Sequence, residues 1–374
     1  MKTVLKILLL GFLIFQPLYG QKIPSDSLLK KAKAEIYNNP DYAIKIVKNL
    51  LKDEKDIDKS IEMYKLLSTA NIAKRDYDIS LHYALKAKEL AQKTNDVKTQ
   101  ISVLTAIAIQ YQQMQLFSKS LETLNEVDEF LKKMPADDPQ KYIETARTYA
   151  VRGMIYKSQT NAEIALDKFL FSIKNFEKAN KKSTYPNMSV VYYNIGYCYL
   201  SLNQSDKAQQ TFEKSAFYAR EAHAKSLEAF ALKGVSEIYK KDRKHQEALK
   251  LLINAENLSK NIGDIILSEG IYKEMSENYL AMGQPGQYHI YNTKFHEMRF
   301  KREQNELNSI NQAINAHNKE TLNKTKKLKS KYNYLTVVLS VIGSIIIALL
   351  LYFILKIKKQ NQKYQKEIQQ LIRS

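Results

Sequence analysis

A chain of 374 residues with 58 Lys and Arg against 39 Asp and Glu carries a formal net charge of +19. Its 44% hydrophobic and 26% charged residues, with only 10 Gly and 7 Pro, exclude collagen-like, linker-like and disordered classes. A single cysteine, Cys198, excludes an internal disulfide framework, and with no second ligand beside it reads as a small buried core residue.

Residues 1–20 open with Lys2 and Lys6, run apolar from Ile7 to Phe15, then reach Pro17 and Gly20. This is the pattern of a secretory signal peptide cleaved before Gln21; no cysteine lies at the junction, which rules out lipoprotein processing.

From 21 to 292 the chain repeats itself. Tyr111, Tyr156, Tyr199, Tyr239 and Tyr279 recur at intervals of 45, 43, 40 and 40 residues. Nine residues after each stands Ser120, Ala165, Ala208, Ala248 or Tyr288, and four further on, in four of five cases, Leu124, Phe169, Phe212 or Leu252. A large residue on one helix needs a small one opposite, so the spacing predicts a pair of helices per unit and an all-α solenoid.

The copy from Tyr192 to Ala216 carries Ile195, Gly196 and Tyr199 on one helix and Ala208 and Phe212 on the next; a sister copy has Gly153, Tyr156, Ala165 and Phe169. These positions resemble the tetratricopeptide (TPR) repeat. The resemblance spans about Ile23 to Phe300, reaching back through Ser80, Ala84 and Ala87 and through Ala43, Val47 and Leu50. It implies about seven helix pairs in one continuous right-handed superhelix, the first and last degenerate. The TPR Trp and closing Pro are missing and the period exceeds the usual ~34 residues, which predicts longer helices. Pro135, Pro139 and Pro186 are expected to mark loops between repeats that absorb the extra length.

No catalytic chemistry is visible. His82, His223, His245, His289, His296 and His317 lack metal-ligand spacing, and there is no phosphate-binding Gly-rich loop or nucleophile elbow. The reading is therefore a non-enzymatic chain with no cofactor and no metal. In TPR proteins the ligand lies against the first helix of each pair. By register the resemblance implies a peptide groove lined by Lys65, Thr69, Thr105, Gln112, Lys157, Tyr193, Tyr197, Lys233, Glu237 and Lys273. Mixed aromatic and cationic groups suit an extended protein or peptide segment with acidic character.

Residues 293–333 continue as a basic helical stalk with Phe300, Leu307, Ile310, Ile314 and Leu328 on a heptad interrupted by polar residues, a weak coiled coil. Residues 334–355 are the transmembrane helix: Leu335 to Leu355 contains no charge and is long enough to cross a ~30 Å hydrocarbon core. Lysines crowd both flanks, so the positive-inside rule does not choose an orientation, and the signal peptide places the repeats outside and the tail in the cytoplasm. Eleven of the 19 net charges lie in residues 293–374, where anionic lipid head groups are nearer partners than nucleic acid. In the cytoplasmic coiled-coil tail, 356–374, Ile357, Asn361, Tyr364, Ile368 and Leu371 follow four–three spacing. With Ser340, Ser344 and Ala348 in the span, they predict a parallel homodimer.

This layout resembles the sensor half of bacterial membrane-anchored TPR regulators, whose output is a histidine kinase or a helix-turn-helix domain; up to Ser374 this chain carries neither. Two readings follow: a periplasmic receptor or scaffold, or a signal-transducing regulator whose tail engages a separate kinase or transcription factor.

Overall fold

A computed structural model describes residues 24–74 and 76–373; the expected signal peptide, 1–20, lies outside the described residues. Fourteen α-helices and one short 3-10 turn make up those residues, with no strand among them. The helices fall into consecutive pairs: α1 (Ser25–Glu35) with α2 (Pro40–Leu51), α3 (Ile57–Ala73) with α4 (Tyr77–Ala91), and α5 (Val97–Gln113) with α6 (Phe117–Lys132). Then come α7 (Pro139–Ser158) with α8 (Ala162–Ala179), α9 (Tyr185–Ser201) with α10 (Ser205–Glu221), and α11 (Lys225–Lys241) with α12 (His245–Ser259). Last is α13 (Ile265–Ala281) with the start of α14 (Pro285–Arg373). Each helix packs on its partner and on the next pair, the nearest-neighbour arrangement of a TPR-like solenoid.

The recurring tyrosines all stand at the same backbone position in the closure of a helix pair. Each lies in the last turn of a first helix, and its carbonyl accepts the N–H five residues on: Leu116 to Tyr111, Asn161 to Tyr156, Gln204 to Tyr199, Lys244 to Tyr239 and Gln284 to Tyr279, all at 2.8–3.0 Å. The residue between, Gln115, Thr160, Asn203, Arg243 or Gly283, has φ between 58° and 68°. This left-handed closure satisfies the carbonyls that a helix end exposes and sets the angle of the return helix. Starts are fixed differently. Asp56 accepts from the N–H groups of Asp58 and Lys59, Asp96 from those of Lys98 and Thr99, and Asn161 from that of Ile164.

The small-opposite-large rule holds in the packing. Ser120, Ala165, Ala208 and Ala248, and Leu124, Phe169, Phe212 and Leu252, are all fully buried. A Cβ added at Gly153 would stand 2.6 Å from the Phe169 ring, and one at Gly196 2.5 Å from the Phe212 ring. Phe212 also meets the next pair: a Cβ at Gly234 would stand 2.6 Å from it. Of the three prolines, only Pro135 sits in a connector; Pro139 opens α7 and Pro186 lies in the first turn of α9. There the missing N–H costs nothing, because first-turn amides have no helical partner. The extra residues go into longer helices, α7 with 20 and α8 with 18, and into the 3-10 turn Lys182–Thr184.

The solenoid coils until its first corner meets the start of the sixth pair. The α1–α2 corner touches the α10–α11 corner: Ser226 N–H donates to Tyr37 O at 3.2 Å, and Tyr37 packs with Ala219, Ala224 and Leu227. The unit that contains the pairs ends at Ile310. At its end, α14 lies along α13: Tyr291 stacks on Tyr279 at 5.4 Å, and Arg302 pairs with Glu269 at 2.6 Å.

Residues 311–374 form a second unit. Within the helical stretch Thr325–Gln369 the most apolar window has a mean hydropathy of 2.9 and none of it is buried. Its hydroxyls fold back on their own helix, Thr336 to Tyr332 O at 2.9 Å, Ser340 to Thr336 O at 2.8 Å and Ser344 to Ser340 O at 2.9 Å. Such bonding lets hydroxyls sit in an apolar medium.

Candidate ligand groove

Inside the coil, the first helices α3, α5, α7, α9 and α11 present one face each to a central cavity of about 480 Å³. Its lining combines apolar residues, including Ile109, Val151, Met154 and Phe230, with polar ones. Small-molecule and peptide pockets have this size and balance.

Of the residues expected in the groove, Thr69, Gln112, Lys157 and Tyr193 line this cavity. Lys157 is the most telling. Its Nζ donates to Asn194 Oδ1 at 2.5 Å and stands 5.5 Å from the Tyr197 ring centroid. No carboxylate among the described residues pairs with it; burial lowers its pKa, and the nearby charge of Lys233 adds to that. Tyr193 packs edge-on against Tyr197 at 4.9 Å and Phe230 at 5.5 Å, and burial raises its pKa.

Tyr197, Lys233 and Glu237 come together but are occupied with one another beside the cavity. Tyr197 OH donates to Glu237 Oε1 at 2.6 Å, and Lys233 donates to Tyr197 OH at 2.7 Å and to Glu237. Burial opposes the charge on Lys233, yet Tyr193, Glu237 and Glu274 outweigh it and hold its pKa above the ordinary lysine value. Lys233 also lies over Gly270, where a Cβ would stand 2.7 Å from its Cε.

Three other residues expected in the groove do not line this cavity. Thr105 is fully buried, its hydroxyl bonded to Ile101 O at 2.9 Å, because α5 is covered by neighbours on almost every side. Lys273 is half exposed, 3.8 Å from Glu277 and away from the cavity. Lys65 bonds to Ser102 Oγ instead of lining the cavity, and burial with the charge of Arg147 lowers its pKa to about 8.

Register alone missed Gln110, Arg147, Asn194 and Tyr37, all of which line the cavity. Gln110 is fully buried, donates to Ser68 Oγ at 3.2 Å, and leaves its Oε1 without a hydrogen-bond partner. Arg147 is held by Glu144 at 3.0 and 3.1 Å. Asn194 stands 37 residues after Lys157, short of the 43-residue interval between Tyr156 and Tyr199, so spacing does not mark it. Among the described residues no cluster of His, Cys, Asp or Glu could hold a metal ion.

No protein-family model matches this sequence, and no curated protein matches it. Solved structures do share the fold. The Rap conjugation gene regulator of plasmid pLS20, in complex with the Phr* peptide, superposes with a TM-score of 0.57 at 14% identity, over 75% of this chain and 73% of that one. The apo form of the quorum sensor NprR from B. thuringiensis gives 0.51 at 15% identity, over 70% and 71%. Aspartyl phosphate phosphatase F from Bacillus subtilis gives 0.50 at 17% identity, over 73% and 69%. At these identities the likeness establishes the fold: the chain is a TPR-like helical repeat protein.

Proposed function

We propose that the repeats are a non-enzymatic interaction module that binds a peptide or protein segment of acidic character in the central cavity. The observation that carries this is Lys157 on the cavity wall: a half-buried ammonium held by Asn194 Oδ1 and the Tyr197 ring, with no carboxylate paired to it among the described residues. A cation withdrawn from water without a counter-charge is costly, and a ligand that brings an anion offsets that cost. The Rap structure, solved with a peptide, supports the choice of ligand class. Titration of fluorescein-labelled hexaglutamate and hexalysine tests it. The acidic peptide should bind more tightly, and Lys157→Met should weaken it about tenfold, the loss of one charge-assisted hydrogen bond. Equal binding of both peptides overturns the reading.

The module is anchored, on this proposal, by a single span at 334–355, with the repeats outside the cytoplasmic membrane, residues 293–333 as stalk and 356–374 as cytoplasmic tail. The uncharged stretch supports the span, and the flanking lysines suit anionic head groups. Protease added to spheroplasts should degrade the repeats of a mature chain that begins near Gln21; protected repeats would overturn this topology. The seam of Ile357, Asn361, Tyr364 and Ile368 favours a parallel pair, and with it a second reading in which the tail hands a signal to a separate kinase or transcription factor. Deleting 357–374 separates the two: a receptor or scaffold tolerates the loss and a transmitter does not.

A further inference from the structure

Tyr37 and Asn38 connect parts of the solenoid that a linear stack of repeats would leave apart. Asn38 Nδ2 donates to His223 O at 3.1 Å, and Lys225 N–H donates to Asn38 Oδ1 at 3.1 Å, so one side-chain amide brackets the backbone of the α10–α11 corner. The backbone bond from Ser226 to Tyr37 O and the seating of the Tyr37 ring complete the contact. Tyr37 also lines the cavity; burial raises its pKa, and the nearby Arg147 guanidinium partly offsets that. The remaining walls are long helix–helix interfaces, whereas on the α1–α2 side this seam is made by one corner. It is the place where the ring opens at least cost.

We propose that this clasp gates the groove and sets the length of what it holds. Closed, the ring retains a short free peptide or a chain end of a few residues and excludes a folded partner; open, it admits or releases its occupant sideways. Tyr37 is then a specificity-determining residue brought to the groove from the first helix pair. The proposal rests on the cavity being the binding site.

The test uses the full chain with Cys198→Ser and a reporter thiol, Asn187→Cys, at the half-buried cavity position Asn187. N-ethylmaleimide should label it at one rate whether or not Asn38→Ala is present. A 5 kDa polyethylene glycol maleimide should label it about tenfold faster with Asn38→Ala, the factor expected from losing two ordinary hydrogen bonds. A second reporter, Ser120→Cys, buried between α5 and α6, should stay unreactive in both and so exclude general unfolding. Equal rates with the large reagent, or a reactive Ser120→Cys reporter, overturn the gate. In a separate chain carrying Asn38→Cys, Lys225→Cys and Cys198→Ser, oxidation should slow dissociation of bound hexaglutamate, and an unchanged rate counts against the gate. If hexaglutamate binds neither form, the groove reading fails on its own, while the labelling rates still decide the gate.

Discussion

The ring of Phe212 is the most exposed test of how the repeats hold together. It is fully buried between α9 and α11, and a Cβ placed at Gly196 or Gly234 would stand 2.5 or 2.6 Å from its carbons. Ordinary carbon–carbon contact begins near ~3.5 Å, so Gly196→Ala must push the ring by roughly 1 Å, toward a wall that is itself packed. In an open helix Gly→Ala stabilises by about 1 kcal/mol. Here overpacking should outweigh that gain and leave a net loss within the usual range of about 1–3 kcal/mol, with the same sign for Gly234→Ala. Gly286→Ala is the control: nothing lies within 4 Å of its Cβ, and it should stabilise slightly. Phe212→Ala should cost about 3–5 kcal/mol. The chain with both Gly196→Ala and Phe212→Leu should lose at least about 0.5 kcal/mol less than the two single losses together, because the smaller side chain vacates the clash. Urea unfolding and amide exchange across α9, α10 and α11 measure this without assuming two-state behaviour, which repeat arrays can violate. If Gly196→Ala and Gly234→Ala both behave like Gly286→Ala, the wedge is wrong.

Thr160 adopts φ 60°, a conformation its branched side chain resists, so Thr160→Gly should stabilise by about 0.5–1 kcal/mol in thermal unfolding, and a loss would refute the turn geometry. Lys65 has a folded pKa of about 8 against 10.5 for a free lysine. Below pH 8 both states hold the proton and its burial is a constant cost. Between 8 and 10.5 the unfolded chain binds more protons, so stability should rise with pH and level off above. A wild-type minus Lys65→Met difference that stays flat from pH 8 to 10.5 would contradict this. In the tail, Ile368→Cys in a Cys198→Ser background should crosslink between copies on oxidation and Lys359→Cys should not; equal crosslinking at both removes the helical seam.

Helix pairs were legible because one short pattern repeats, although Pro139 and Pro186 open helices instead of marking loops. A tyrosine carbonyl closes the last turn, a left-handed residue follows, and a small residue nine positions on meets the preceding helix, all within about 15 residues of chain. Local geometry of this kind needs no knowledge of distant residues. The long apolar stretch of α14 is legible for the same reason, since length and apolarity are properties of one segment. The cavity wall was legible in part: Lys157 and Tyr193 follow from register, whereas Thr105 shares that register and is buried, because neighbours cover α5 on almost every side. Tyr37, Arg147 and Gln110 could not be read from spacing. Their roles arise when small rotations between successive pairs add up until the first corner reaches the sixth pair, 185 residues away through His223. The sequence determined the repeating unit, because hydrogen bonds and packing within a pair are local; only the tertiary structure decided that the coil closes, because closure depends on angles accumulated over every interface between them.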